Sequence, residues 1–266
     1  MKVKAAGKSD RGLKRKINED SILIAPNLGL YVVADGMGGH KAGEIASRMV
    51  VETMADYWRE VKNHKPPSFL EPVKGDVPES AKHLINSISF TNILIHEAQK
   101  KRHYQGMGST ISAILLDDDC MWSANVGDSP IFLYDRGRLI QVSEEHSINA
   151  ERKSMGLDDA SNPVSPLLKN VLTRVLGLDE TVNVFITPIM PEAGDLILMC
   201  SDGLTNYLSE QSIKDVLDDF LMPIRRKVEV LIELANKGGG GDDVSVILLE
   251  VVEEKKWNIF KKKGIP

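Results

Sequence analysis

The sequence predicts an α+β layered sandwich, antiparallel sheets with helices covering their outer faces. Short apolar strands fill the early and late parts of the chain, two helical segments follow the early strands and two follow the late ones, a pattern that buries one face of each sheet under helices. Neither an internal repeat nor a break in composition marks a domain boundary. With 266 residues, 42% of them hydrophobic and 27% charged, the chain is long enough to bury a sizeable core.

Taken in order, "VKAAG", "DSILIA" and "GLYVVA" read as strands separated by turns. A helix follows from about Glu44 to Val61, because Ile45, Met49, Val50, Met54 and Tyr57 recur on one face. The stretch "NHKPPSFLEPVKGDVPE" holds four of the twelve prolines and is a loop. A second helix is expected from Glu79 to about His103, with Leu84, Ile88, Ile95 and Ala98 facing inward. Strands resume at "STISAILL", "CMWSANVG", "IFLYD" and "LIQVS", and the turn chemistry between them predicts an antiparallel meander. Between Ser143 and Asn170 the periodicity fades, which predicts a mobile segment with some helix, a flap. Strands at "VNVFITP" and "DLILMC", helices at "SEQSIKDVLDDF" and from about Pro223 to Asn236, and a final strand "VSVILLEVV" complete the domain, expected over residues 1–252. The basic tail at 253–266, "EEKKWNIFKKKGIP", is expected to be disordered, too short for a strong membrane or partner anchor by itself.

Several function classes drop out. A net charge of −5 gives no electrostatic footprint for nucleic acid. No apolar stretch approaches the roughly 20 residues that cross a bilayer, and "MKVKAAGKSDRG" lacks the apolar middle of a secretory signal. Cys120 and Cys200 are the only cysteines and both sit in apolar runs, which points to a reducing, cytoplasmic compartment rather than a disulfide framework. Neither is followed at the sixth position by Arg (Val126 and Asn206 stand there), so the loop of cysteine-dependent phosphatases is absent. "GKS" at Gly7–Ser9 imitates the end of a phosphate-binding loop, but Lys2 replaces its first Gly.

Three apolar runs end on an acid: "LYVVADGMGGH" at Asp35, "MWSANVGDS" at Asp128 and "DLILMCSDG" at Asp202. Any one is an ordinary turn. Glu19 and Asp20 precede a strand, as do Asp242 and Asp243. If these elements lie side by side, five or six carboxylates converge and repel one another unless cations compensate. Oxygen donors without His or Cys favour Mg²⁺ or Mn²⁺, and a pair of such ions mostly serves phosphoryl chemistry. Arg15 is then a candidate phosphate ligand as well as an ion-pair partner. His64, His83, His96 and His103 lack partners at metal spacing and are expected to be solvated or locally bonded. His146 lies near the flap in a structural role, and Asp117–Asp119 form a turn away from the acids.

The ordered set "RKINED", "VVADGMGGHKAGE", "GMGSTIS", "NVGDSPIFLY", "NVLTRVLG", "LMCSDGL" and "GGGGDDVSVI" resembles the metal-dependent protein phosphatase family, the bacterial protein phosphatase 2C-like serine/threonine phosphatases. The resemblance runs from about residue 7 to 250. It implies a four-layer α-β-β-α sandwich, two packed antiparallel sheets flanked by helix pairs. It further implies two Mn²⁺ or Mg²⁺ ions in the cleft. Asp35 would bridge both and the Gly36 carbonyl would add a ligand. Glu19 would hold one ion, Asp202 and Asp242 the other, and Asp128 with Asp202 a third. Asp20 would position the attacking water, which bridges the two metals, and Arg15 would bind the substrate phosphate. The implied activity is hydrolysis of phosphoserine and phosphothreonine in proteins, without a covalent phosphoenzyme, opposing a bacterial Ser/Thr kinase, by a monomer. A phosphoprotein-binding regulator without turnover and a hydrolase of small phosphate metabolites are the competing functions. The chain departs from the family at three places. Asp243 stands where an Asn is usual, and Pro130 replaces the Arg of "GDSR". Met37 takes the place of the His that eukaryotic relatives use as proposed general acid, a role not assigned to the nearby His40.

Overall fold

The computed structural model describes residues 1–38, 42–70, 77–118, 120–157, 168 and 171–252. The strands are β1 (Lys2–Asp10), β2 (Asp20–Ala25), β3 (Leu30–Met37), β4 (Gly108–Ser109), β5 (Ile111–Leu116), β6 (Met121–Val126), β7 (Ile131–Asp135), β8 (Arg138–Gln141), β9 (Phe185–Ile189), β10 (Leu196–Cys200) and β11 (Val244–Val252). The helices are α1 (Ala42–Lys62), α2 (Glu79–Ala98), α3 (Ile148–Ser154), α4 (Asp202–Thr205), α5 (Glu210–Leu217) and α6 (Ile224–Lys237). One antiparallel sheet runs β1-β11-β10-β7-β8 and the other β2-β3-β5-β6-β9, with β4 paired to β3.

Side-chain alternation explains the layering. On β3, Leu30, Val32 and Ala34 face α1 and α2, in a core with Val50, Met54, Leu84 and Ile88. Tyr31 and Val33 point the other way and meet Ile197, Met199, Ile247 and Leu249 between the sheets. On β11, Val244, Val246 and Leu248 turn outward to Leu231 and Ile232 of α6 and Ile213 of α5. Helices, sheet, sheet and helices therefore stack in four layers. Strands buried on both faces need apolar residues at every position, which is why they read as continuous runs rather than alternating ones. Truncating a fully buried Leu or Ile of this kind costs roughly 2–5 kcal/mol.

Two expectations are corrected. The meander is not one sheet: β5 and β6 pair in the six-stranded sheet, whereas β7 and β8 belong to the other. The chain crosses between sheets at residues 127–130. The local turn chemistry was sound, but strands apolar on both faces carry no mark of which sheet they join. The second helix ends at Ala98, not near His103, with a single 3₁₀ turn at Arg102–Tyr104 beyond it. The Gln99 side chain and His96 Nδ1 both reach the Gly177 carbonyl there. The segment 143–170 holds α3, capped by Ser147 whose Oγ accepts from the Ala150 N–H at 3.1 Å; most of the rest of it lies outside the described residues, as do His40 and the tail at 253–266. Among the described residues no helix is long and apolar enough to cross a membrane.

Candidate active site and metal centre

The acids gather where strand ends of both sheets meet. Asp20 and Asp35 are direct partners across the β2–β3 ladder. Asp202 follows β10 and opens α4, Asp242 and Asp243 precede β11, and Asp128 follows β6. Burial, then the charges of Asp20, Asp202, Asp128 and Asp242 in that order, hold the Asp35 carboxyl well above the usual carboxylate range. Burial first and Asp202 second push Asp128 up to about 7. Asp20 is likewise raised by burial, opposed by the hydrogen bond from Ser201. Asp202 is raised by burial and then by the charge of Asp242.

Glu19 sits beside this group. Its carboxylate lies against Gly43, at the start of α1, where the helix N-terminus favours negative charge. A Cβ on Gly43 would lie 2.6 Å from Glu19 Oε1 and 2.7 Å from the Gly36 carbonyl oxygen. Only Gly fits there, and its absent side chain brings the two predicted ligands Glu19 and Gly36 together. Arg15 closes the entrance, half exposed, with Nη2 2.6 Å from Asp242 Oδ1 and Nη1 3.7 Å from Glu19 Oε2. Its ion-pair role and its place beside the acids coincide.

The oxygen donors fit hard divalent ions. All are carboxylates or a carbonyl, burial and then neighbouring acids raise Asp35, Asp128 and Asp202, and Asp20 Oδ1 is buried without a hydrogen-bond partner among the described residues. Carboxyls in that condition are poised to exchange protons for cations. Among the described residues no three acid, His or Cys side chains close around a single point; Arg15 holds Glu19 and Asp242 instead. Beside Asp128 and Asp202 a cavity of about 190 Å³ opens, walled also by Glu145, Ser147, Thr205 and Asn206.

Small hydroxyls that sequence reasoning passed over fix these acids. Ser201 Oγ donates to Asp20 Oδ2 at 2.7 Å and accepts from the Ser245 N–H at 2.9 Å, spanning the two sheets. Thr110 Oγ1 accepts from the Asp35 N–H at 3.0 Å and lies 2.8 Å from Ser129 Oγ, linking Asp35 to the Asp128 turn. Their only signal was position: "STI", "CSD" and "DDVS" put each next to or near an acid or Gly. His146 is structural, as expected. It is 1% exposed, its Nδ1 accepts from the Gly127 N–H at 3.0 Å, and its Nε2 lies beside Arg174 and Glu144. Burial, and then the Arg174 charge, lower its pKa to about 4. Asp117 stays in its turn, accepting from Ser80 and Trp122. His83 is buried, bonded to Tyr57 and stacked on Phe69.

With this geometry in hand, the family is settled by comparison. A model of the protein phosphatase 2C family matches residues 13–236, and the chain belongs to that family; it is a metal-dependent protein phosphatase. It is similar to the serine/threonine phosphatase stp of Listeria welshimeri, 32% identical over 249 residues, covering 91% of this chain and 94% of that protein. Protein phosphatase PhpP of Streptococcus pneumoniae is 30% identical, covering 92% of this chain and 96% of its own. Among solved structures, the S. agalactiae serine/threonine phosphatase superposes with a TM-score of 0.82 at 32% identity, covering 94% of this chain and all of that one. The catalytic domain of the serine/threonine phosphatase PstP, in complex with two manganese ions, gives 0.74 at 31% identity, covering 94% and 99%.

Proposed function

We propose that this chain releases phosphate from phosphoserine and phosphothreonine side chains of proteins, as one catalytic unit over residues 1–252. The observation that carries the proposal is the convergence of Asp35, Asp202, Asp128, Asp20 and Asp242 at the strand ends, where burial raises the carboxyls of Asp20, Asp35, Asp128 and Asp202. Glu19, Asp35, the Gly36 carbonyl, Asp202 and Asp242 would hold two Mn²⁺ or Mg²⁺ ions, and Asp128 with Asp202 a third. Such ions, when bound, make water more acidic and neutralise charge on a phosphoryl group.

The chain's own residues supply the rest. Arg15, half exposed at the mouth, exchanges Asp242 for a phosphoryl oxygen and orients it by charge-assisted hydrogen bonds. Asp20 is fixed through Oδ2 by Ser201, which leaves its buried Oδ1 to accept a hydrogen bond from the attacking water. Ser201 and Thr110 keep Asp20 and Asp35 in place, so little reorganisation accompanies attack. The names of the relatives support Ser/Thr phosphoproteins as substrates and, with them, an opposing Ser/Thr kinase. The cysteine pattern supports a reducing, cytoplasmic compartment.

Asp35→Asn tests the assignment. With Mn²⁺ in excess, phosphate release from a phosphothreonine peptide is expected to fall by at least about 100-fold, since a central acid of the cluster is neutralised. Near-normal hydrolysis would overturn it.

A further inference from the structure

We infer that Asp243 is a positioning residue for Glu19, a role that rests on the metal-dependent function proposed above. The last loop before β11 and the loop that follows β1 clasp one another. The Leu13 and Lys14 N–H groups donate to the Gly240 carbonyl at 2.8 and 3.2 Å. Asn236 Nδ2 donates to Asp10 Oδ1 at 3.1 Å, and Arg15 binds Asp242. The clasp ends at Asp243, whose Oδ2 accepts from the Glu19 N–H at 2.8 Å. On the other side of the same residue, the Glu19 carbonyl accepts from the Gly36 N–H at 3.0 Å. Glu19 is thus gripped at its N–H by Asp243 and at its carbonyl by β3, while its carboxylate lies against Gly43.

Stability alone does not account for Asp243. The residue is 4% exposed, and its Oδ1 is buried without a hydrogen-bond partner among the described residues. A buried carboxylate with an unsatisfied oxygen costs free energy. Its backbone is rigidly set, its N–H donating to Asp242 Oδ1 at 2.9 Å and its carbonyl packed where a Cβ on Gly203 would come within 1.9 Å. What the carboxylate gains for that cost is the bond to Glu19. Removing the acceptor frees one end of the Glu19 peptide and lets its carboxylate drift from the Gly36 carbonyl. An amide oxygen can make the same bond, so the acceptor rather than the charge is the working part.

The test compares Asp243→Asn with Asp243→Ala in the full chain, with Asp243→Ser as a second removal should the Ala variant fail to fold. Mn²⁺ is titrated into each protein and the free ion is followed by its electron paramagnetic resonance signal, with no substrate present. Asp243→Asn is expected to bind both ions within about 3-fold of wild type, whereas Ala and Ser weaken one of the two by about 10-fold or more, the range for groups that orient metal ligands. Ala and Ser variants that bind both ions like wild type would overturn the inference, as would an Asn variant as weak as Ala. A wild type that bound no Mn²⁺ would instead overturn the metal-dependent function itself.

Discussion

Ser201 joins the two sheets at the floor of the site, and its removal has a calculable cost. It is fully buried, gives its proton to Asp20 Oδ2 at 2.7 Å and takes one from the Ser245 N–H at 2.9 Å. Ser201→Ala deletes a hydrogen bond to a charged group, about 1.5–3 kcal/mol, and leaves a buried main-chain N–H unsatisfied, about 1–3 kcal/mol. The two losses share one hydroxyl and do not add fully. Asp20 can also relieve its share by taking up a proton, because burial already raises its proton affinity. A net loss of about 3 kcal/mol is expected, or roughly 6–12 °C in Tm for a chain of this size. Urea unfolding followed by circular dichroism, at pH 7 without added metal, measures it. A loss below about 1 kcal/mol would refute the claim that this bond ties the sheets at the acid cluster.

Two further predictions concern the surroundings of the acids. The His146 pKa, lowered from 6.5 to about 4 chiefly by burial, means that the unfolded chain takes up a proton the folded one refuses; its contribution is whole above pH 6.5 and is lost as pH falls toward 4. Between pH 7 and 5 that is about 2 kcal/mol, which His146→Gln should remove from the pH dependence of the urea midpoint. Asp128 and Asp243, raised to about 7 and about 6, act with the opposite sign, so the difference between variant and wild type is the quantity to compare, and parallel curves would contradict the assignment. Gly43→Ala would place a Cβ 2.6 Å from Glu19 Oε1; calorimetric Mn²⁺ titration should show at least about 10-fold weaker binding, and unchanged binding would show that Glu19 is not held there for a metal.

Much of the site was legible because of where the acids fall. Asp35, Asp128 and Asp202 interrupt apolar runs that the two-sided burial of β3, β6 and β10 demands, so an acid there is conspicuous. The gathering of Glu19 and Asp242 was less so, since it depends on the clasp between residues 11–19 and 236–243, contacts more than 200 residues apart in sequence. The assignment of β7 and β8 to a different sheet from β5 and β6 was illegible for the same reason: a hairpin turn specifies a neighbour, not a layer. The end of α2 at Ala98 was hidden by "QKK", good helix formers that continue the pattern without forming part of the helix. Ser201, Thr110 and Ser245 look like small strand residues until a partner across the sheets is seen, because a hydroxyl in an apolar run carries no periodic signature.

The most direct measurement is phosphate release from a phosphothreonine peptide, with and without Mn²⁺, by wild type and Asp202→Ala. The charge of Asp202 raises both Asp35 and Asp128, and Asp202 is itself raised by Asp242, so it stands at the centre of the cluster. Turnover that requires Mn²⁺ in wild type and is lost in the variant is the predicted result. No turnover by a wild-type protein that binds the metal, or equal turnover by the variant, would contradict it.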